Sequence, residues 1–178
     1  MRTLVLGGIR SGKSRWAENA IAGNAAVCYL ATGADASADP EWAARIARHR
    51  DRRPPGWSTV ETADVAGHLR SHPDAATLID DLGGWLTAAL DRRGWDGGSV
   101  AADVDDLVTT IGAFRAPLVL VSPEVGLSVV AATASGRRFA DQLGALNQRL
   151  AECCERVVLV VAGQPVQVKP QTTTEAGS

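Results

Sequence analysis

Residues 7–14 read Gly-Gly-Ile-Arg-Ser-Gly-Lys-Ser, and no other stretch restricts what this chain can fold into so tightly. They fit the pattern G-x-x-x-x-G-K-[ST] without a mismatch. The stretch follows Thr3-Leu4-Val5-Leu6, a short apolar run of the kind that forms a buried strand, and leads into Ser14 to Ala22, which reads as a helix. Glycines let the backbone curl until successive N–H groups face inward, and a helix start adds the positive end of its dipole at the same spot. Gly7, Gly8, Ile9, Arg10, Ser11, Gly12, Lys13 and Ser14 are therefore candidate ligands of a nucleotide polyphosphate. Lys13 would reach the β- and γ-phosphates as a catalytic cation, and the Ser14 hydroxyl would ligate Mg²⁺. The competing reading is a glycine-rich turn with a solvated lysine; the strand before it and the helix after it favour the phosphate site.

Further apolar runs recur along the chain, at Ala26 to Ala31, Thr77 to Ile79, Leu118 to Val121 and Val157 to Ala162. Each is stopped by turn chemistry, as in Thr32-Gly33, Asp80-Asp81, Ser122-Pro123 and Gly163. Between them, Val104, Leu107, Val108 and Ile111, and then Phe139, Leu143, Leu146 and Leu150, recur at helical spacing. Strands alternating with helices predict an α/β fold with a mostly parallel sheet and helices on both faces. Pro165 to Lys169 could add a terminal edge strand. A phosphate-binding loop of this kind needs a carboxylate at the end of another strand to hold the metal. Asp80 stands at such an end, and an acidic turn without function is the alternative for it.

At 178 residues the chain has the size of one domain, expected over residues 1–170, with a polar, flexible tail at 171–178. A formal net charge of -2 predicts no general attraction to nucleic acid or to anionic membrane, so phosphate binding must come from a local site. The three cysteines, Cys28, Cys153 and Cys154, suit a reducing compartment. The N-terminal apolar run is too short for a signal peptide or a membrane span, and a soluble, cytoplasmic protein is expected.

The segment from Pro40 to Arg53 is helical by composition and ends before Pro54-Pro55. Arg45, His49 and either Arg52 or Arg53 share a face at helical spacing. Guanidinium groups around an imidazole screen an anionic substrate and favour the neutral, nucleophilic ring. Such a His49 could displace pyrophosphate from a nucleoside triphosphate and form a covalent phosphoramidate. An ordinary solvated, arginine-rich face competes with this reading. His68, in an expected surface helix, and His72, before Pro73, read as exposed and non-catalytic.

Taken together, Gly7 to Ser14, Arg45 to Pro54, and Trp57-Ser58-Thr59-Val60-Glu61 resemble the adenosylcobinamide kinase/adenosylcobinamide-phosphate guanylyltransferase family. Later stretches agree in order and spacing: Glu124-Val125-Gly126, Gly136-Arg137-Arg138-Phe139, Leu146-Asn147-Gln148-Arg149-Leu150 and Val160-Val161-Ala162-Gly163. The similarity runs from Thr3 to Lys169. It implies a RecA-like P-loop NTPase fold, a homotrimer, and a two-step cobalamin biosynthesis enzyme using GTP and ATP with Mg²⁺. Adenosylcobinamide would be phosphorylated, and GMP would then pass from a guanylylated histidine to the phosphate product. By position His49 matches that histidine. Ala31, Thr32, Gly33, Arg50, Asp51, Arg52, Arg53, Glu61 and Asp80 match nucleotide-contacting stretches, with Ser14 and Asp80 on the metal side.

The sequence departs from the family pattern at Gly83, Gly84, Ala88, Pro123, Ala131 and Thr133. These positions are expected near the corrinoid or the kinase step, so guanylylation is the half expected to be retained. Two other functions remain in view. A different small-molecule P-loop kinase would keep Lys13, Ser14 and Asp80 but need no covalent histidine. A nucleotide-switched binding module would bind tightly without transferring any group.

Overall fold

The computed structural model describes residues 1–32, 54, 56–127 and 129–169. Along these the chain forms β1 (Arg2–Gly7), α1 (Lys13–Ile21), β2 (Val27–Ala31), β3 (Trp57–Glu61), α2 (Val65–Ser71) and β4 (Thr77–Asp80). It continues through α3 (Leu82–Arg93), α4 (Ala101–Ala113), β5 (Leu118–Pro123), α5 (Ala134–Cys153), β6 (Arg156–Val161) and β7 (Gln164–Lys169). The expected helix over residues 40–53 and the tail at 171–178 lie outside the described residues.

The seven strands make one sheet in the order β3-β2-β4-β5-β1-β6-β7. Neighbours run parallel throughout, except for the antiparallel β6–β7 hairpin. Central strands of such a sheet are covered on both faces, so their sequences run apolar without a break. Leu4 and Val5 show the consequence. Both are fully buried, but they point to opposite sides of β1 and belong to separate cores. Leu4 joins side chains of α2, α3, α4 and α5, whereas Val5 joins Ala17 and Ile21 of α1.

Three features differ from the sequence expectation. β3 was not expected as a strand; its residues are mostly exposed because it lies at the sheet edge. α3 was not expected either, since its apolar stripe is interrupted by Gly83 and Gly84. It forms because the Asp81 side chain caps it, accepting the Gly84 N–H at 2.8 Å. His68 is half-buried rather than exposed: its Nε2 lies 3.3 Å from the Cys28 thiol, and its ring stacks on His72 at 4.3 Å. Burial, then the neighbouring His72, lowers the His68 pKa.

Charged groups fasten the remote end of the sheet. The Arg2 guanidinium bonds Glu155 and reaches the carbonyls of Ile111 and Gly112 at the end of α4. Lys169 donates from Nζ to Ala151 O at 2.9 Å and Cys154 O at 2.8 Å, tying β7 to the end of α5. These contacts lie at the opposite end of the strands from the phosphate loop, which leaves the loop end free for chemistry.

Candidate active site

β1 stops at Gly7, wedged between neighbours. A Cβ there would collide with the Ser11 side chain and come within 2.8 Å of Val160 O, so only glycine fits. The loop then turns back on itself, with Ser11 N–H donating to Gly8 O at 3.3 Å. Ser11 is buried, and its carbonyl accepts the Gly163 N–H at 2.7 Å, which anchors the loop to the β6–β7 turn. Gly12 has φ 93°, a conformation that suits glycine, and a Cβ on it would meet the Gly163 Cα at 3.2 Å. Ile9 and Arg10 remain exposed at the tip.

α1 starts directly at Lys13. Its cap residue Gly12 supplies no side-chain hydrogen bond, and the first turn holds no acidic residue. The helix dipole therefore faces the loop with no acidic side chain of that first turn competing, the arrangement that favours a phosphate, and the Lys13 N–H donates to Ser11 Oγ at 3.3 Å. The Lys13 ammonium folds over the loop and donates to Gly8 O at 3.3 Å.

Asp80 closes the site from the far side of β5. It is the last residue of β4, and its Oδ1 accepts from Ser14 Oγ at 3.3 Å while its Oδ2 accepts from Tyr29 Oη at 2.6 Å. Asp81 has another task. Its carboxylate caps α3, and its carbonyl accepts from the Thr32 hydroxyl. The two neighbouring acids are thus divided between the site and the scaffold. Ser14 and Asp80 fit a hard cation: both are oxygen donors, and their spacing is close to the roughly 3 Å between adjacent ligands of an octahedral Mg²⁺.

Glu61, Ala31 and Asp80 form one row across the ends of β3, β2 and β4, with Glu61 exposed on the outer strand. Thr32 is buried and follows directly. Of the candidates, Gly7 to Ser14 and Asp80 come together, while Ala31, Thr32 and Glu61 lie along the same rim. Gly33, His49, Arg50, Asp51, Arg52 and Arg53 lie outside the described residues. Tyr29 was missed in the sequence; its only signal was a phenol inside an apolar strand three residues before the Thr32-Gly33 turn.

The family model described as cobinamide kinase / cobinamide phosphate guanyltransferase matches residues 3–168. The chain belongs to this family. The bifunctional adenosylcobalamin biosynthesis protein CobP of Pseudomonas aeruginosa is 43% identical over 176 residues, covering 95% of this chain and 98% of the relative. The protein named CobU in Salmonella typhimurium is 38% identical, over 95% of this chain and all of its own length. Its namesake in Escherichia coli is 36% identical, again over 95% of this chain.

Solved structures bear on the fold alone. An ATPase from a type III secretion system of pathogenic bacteria superposes with a TM-score of 0.51 at 12% identity, over 89% of this chain and 50% of that one. A protein of Pyrococcus horikoshii OT3 gives 0.52 at 8% identity, over 98% and 88%. The phosphate loop, the acid one strand beyond β5 and this likeness together define a RecA-like P-loop NTPase fold.

Of the positions expected to depart from the family pattern, Gly83 and Pro123 lie side by side. A Cβ at Gly83 would lie 2.9 Å from the Pro123 ring and 3.1 Å from Asp81 Oδ1. Pro123 in turn pairs with Gly7 in the β1–β5 register, and Glu124 N–H donates to Gly7 O at 3.1 Å. Two of the departures therefore touch each other at the mouth of the phosphate loop. Thr133 caps α5, accepting the Gly136 N–H at 3.1 Å, and Ala131 packs beside that glycine.

Proposed function

We propose that this chain carries out both reactions of its family, the kinase step included, although the departures at Gly83, Gly84, Ala88, Pro123, Ala131 and Thr133 were expected to bear on that step. It phosphorylates adenosylcobinamide from a nucleoside triphosphate, then transfers GMP from GTP to the resulting phosphate, giving adenosylcobinamide-GDP. The observation that carries the reading is the meeting of Lys13, Ser14 and Asp80 at one end of the sheet, in a chain of this family.

In the first reaction the loop N–H groups and the α1 dipole hold the triphosphate, and Lys13 offsets the charge that builds on the transferring group. The acceptor hydroxyl oxygen bonds the γ-phosphorus as the β–γ bridging bond breaks. The nucleoside diphosphate leaves, and the hydroxyl proton passes to solvent. Mg²⁺, when bound by Ser14 and Asp80, supplies neutralisation of the β- and γ-phosphate oxygens.

In the second reaction a ring nitrogen of His49 bonds the α-phosphorus of GTP as the bond to the β-phosphate oxygen breaks, releasing pyrophosphate. An oxygen of the corrinoid phosphate then displaces the imidazole and takes the GMP. Arg50, Arg52 and Arg53 supply positive charge for the polyphosphate, with Asp51 among them. Ala31, Thr32 and Glu61, along the rim, contact the nucleotide, and the family resemblance gives Gly33 the same role. The family resemblance and the charge pattern around His49 support these roles.

The reading includes a cytoplasmic homotrimer. No helix among the described residues is long and apolar enough to cross a membrane. The strong exposure of Leu127, Val129 and Val130 supports a neighbouring copy covering that loop. Light scattering should then return three times the 18.6 kDa chain mass.

Adenosylcobinamide incubated with the protein and either γ-labelled ATP or α-labelled GTP tests the chemistry. Both labels should reach the corrinoid fraction. Phosphorylation without any guanylyl transfer would favour a plain small-molecule kinase and overturn the two-step reading.

A further inference from the structure

We infer that Tyr29 is a positioning residue for Asp80, holding its carboxylate in the orientation that turns the other oxygen toward Ser14 and the metal–nucleotide complex. This rests on the reading of Asp80 as the metal-side acid.

The geometry begins in the sheet register. Ala31 pairs with Asp80 and Tyr29 with Leu78, so Tyr29 stands diagonal to Asp80 on the same face of adjacent strands. That face is the one α1 covers. Tyr29 is only 4% exposed and packs in the same core as Ala17, Ile21, Leu78 and Val121, so its ring has nowhere to swing. At the strand end its phenol oxygen donates to Asp80 Oδ2 at 2.6 Å. Hydroxyl bonds to an ionised carboxylate fall at about 2.5–2.7 Å, so this one has the length of a strong, charge-assisted contact.

The terminal torsion of an aspartate is soft, with a broad two-fold preference. Contacts from different directions restrict that rotation. Here Oδ2 is claimed by Tyr29 from β2 and Oδ1 faces Ser14 from α1 at 3.3 Å. β2 also grips the main chain of the same turn. The Thr32 N–H donates to Asp80 O at 3.4 Å, and the Thr32 hydroxyl bonds Asp81 O. A carboxylate held this way meets an incoming Mg²⁺ already aimed, without losing rotational freedom on binding.

The test uses the whole protein and a non-hydrolysable GTP analogue, with binding followed by calorimetry in EDTA and at graded Mg²⁺. Tyr29→Phe keeps the ring and removes only the hydroxyl. It should bind the analogue as wild type does in EDTA and need on the order of 10-fold more Mg²⁺ to reach half of the metal-dependent gain, as expected when a partner behind a metal ligand is lost. A parallel loss of affinity with and without Mg²⁺ would mean a merely structural phenol and overturn the proposal. Unchanged Mg²⁺ dependence would overturn it as well. Asp80→Asn separates the two levels of the argument. If it abolishes the Mg²⁺ gain while Tyr29→Phe matches wild type, Asp80 stands and the positioning role fails. If Asp80→Asn retains the full gain, the reading of Asp80 falls, and the proposal with it.

Discussion

Ser14 and Asp80 are 66 residues apart in the chain, yet the Ser14 hydroxyl donates to the Asp80 carboxylate at 3.3 Å. The contact joins the start of α1 to the end of β4 across the intervening β5, and it makes the phosphate loop and the acid a single unit. Lys13, one residue before Ser14, projects over the same loop. Lys13→Ala should therefore fold normally and lose activity on the order of 100-fold or more in both half-reactions, the scale seen when one preorganised stabiliser of transition-state charge is removed. Steady-state rates of the two half-reactions, alongside thermal unfolding, check this. A loss confined to one half-reaction would mean that the two do not share the loop.

The contact between Gly83 and Pro123 predicts a coupling. A methyl group at 83 would stand 2.9 Å from Pro123 Cγ, so Gly83→Ala should destabilise the protein by about 1–3 kcal/mol through overpacking. Pro123→Ala in the same chain opens that space and should recover much of the loss. A double-mutant cycle by denaturant unfolding measures the interaction, which should exceed about 0.5 kcal/mol. Simple additivity would show that the two positions do not constrain each other.

Much of this arrangement was legible in the sequence because strands covered on both faces run apolar without a break and are stopped by turn residues. Leu4-Val5, Leu30, Leu78-Ile79 and Val119-Leu120 all fall where the runs put them. β3 escaped because an edge strand exposes most of its side chains, and Trp57 to Glu61 carries no apolar run. Tyr29 looked like one more core residue, since a sequence does not show that a phenol oxygen reaches the end of the next strand. The pairing of Gly83 with Pro123 was invisible for a similar reason. It arises only when β4 and β5 lie side by side. His68 was misread because its helix face, not its local sequence, brings it against Cys28.

Acid stability should depend on Glu155. Burial pushes its carboxyl pKa up, but the hydrogen bonds and charge of Arg2 outweigh this and bring it down to about 2. A depressed carboxylate contributes stability that is complete above its unfolded pKa of about 4.3 and is lost as pH falls toward the folded value. The Glu155 side chain is 40% exposed, so solvent screening reduces the contribution to about 1 kcal/mol. Glu155→Gln should lower stability near neutral pH by that order and flatten the decline between about pH 4.5 and 2. Urea midpoints across that range provide the check, and an unchanged decline in the variant would rule the pair out as its source.

In the proposed chemistry the triphosphate held by the loop around Lys13 is attacked by the imidazole of His49. Intact-protein mass spectrometry after incubation with GTP and Mg²⁺, followed by peptide mapping in acid-avoiding conditions, addresses it directly. The wild type should carry one GMP adduct on His49, absent from His49→Ala and strongly reduced in Lys13→Ala. An adduct of equal yield in His49→Ala, or none in a wild-type protein that still produces adenosylcobinamide-GDP, would contradict it.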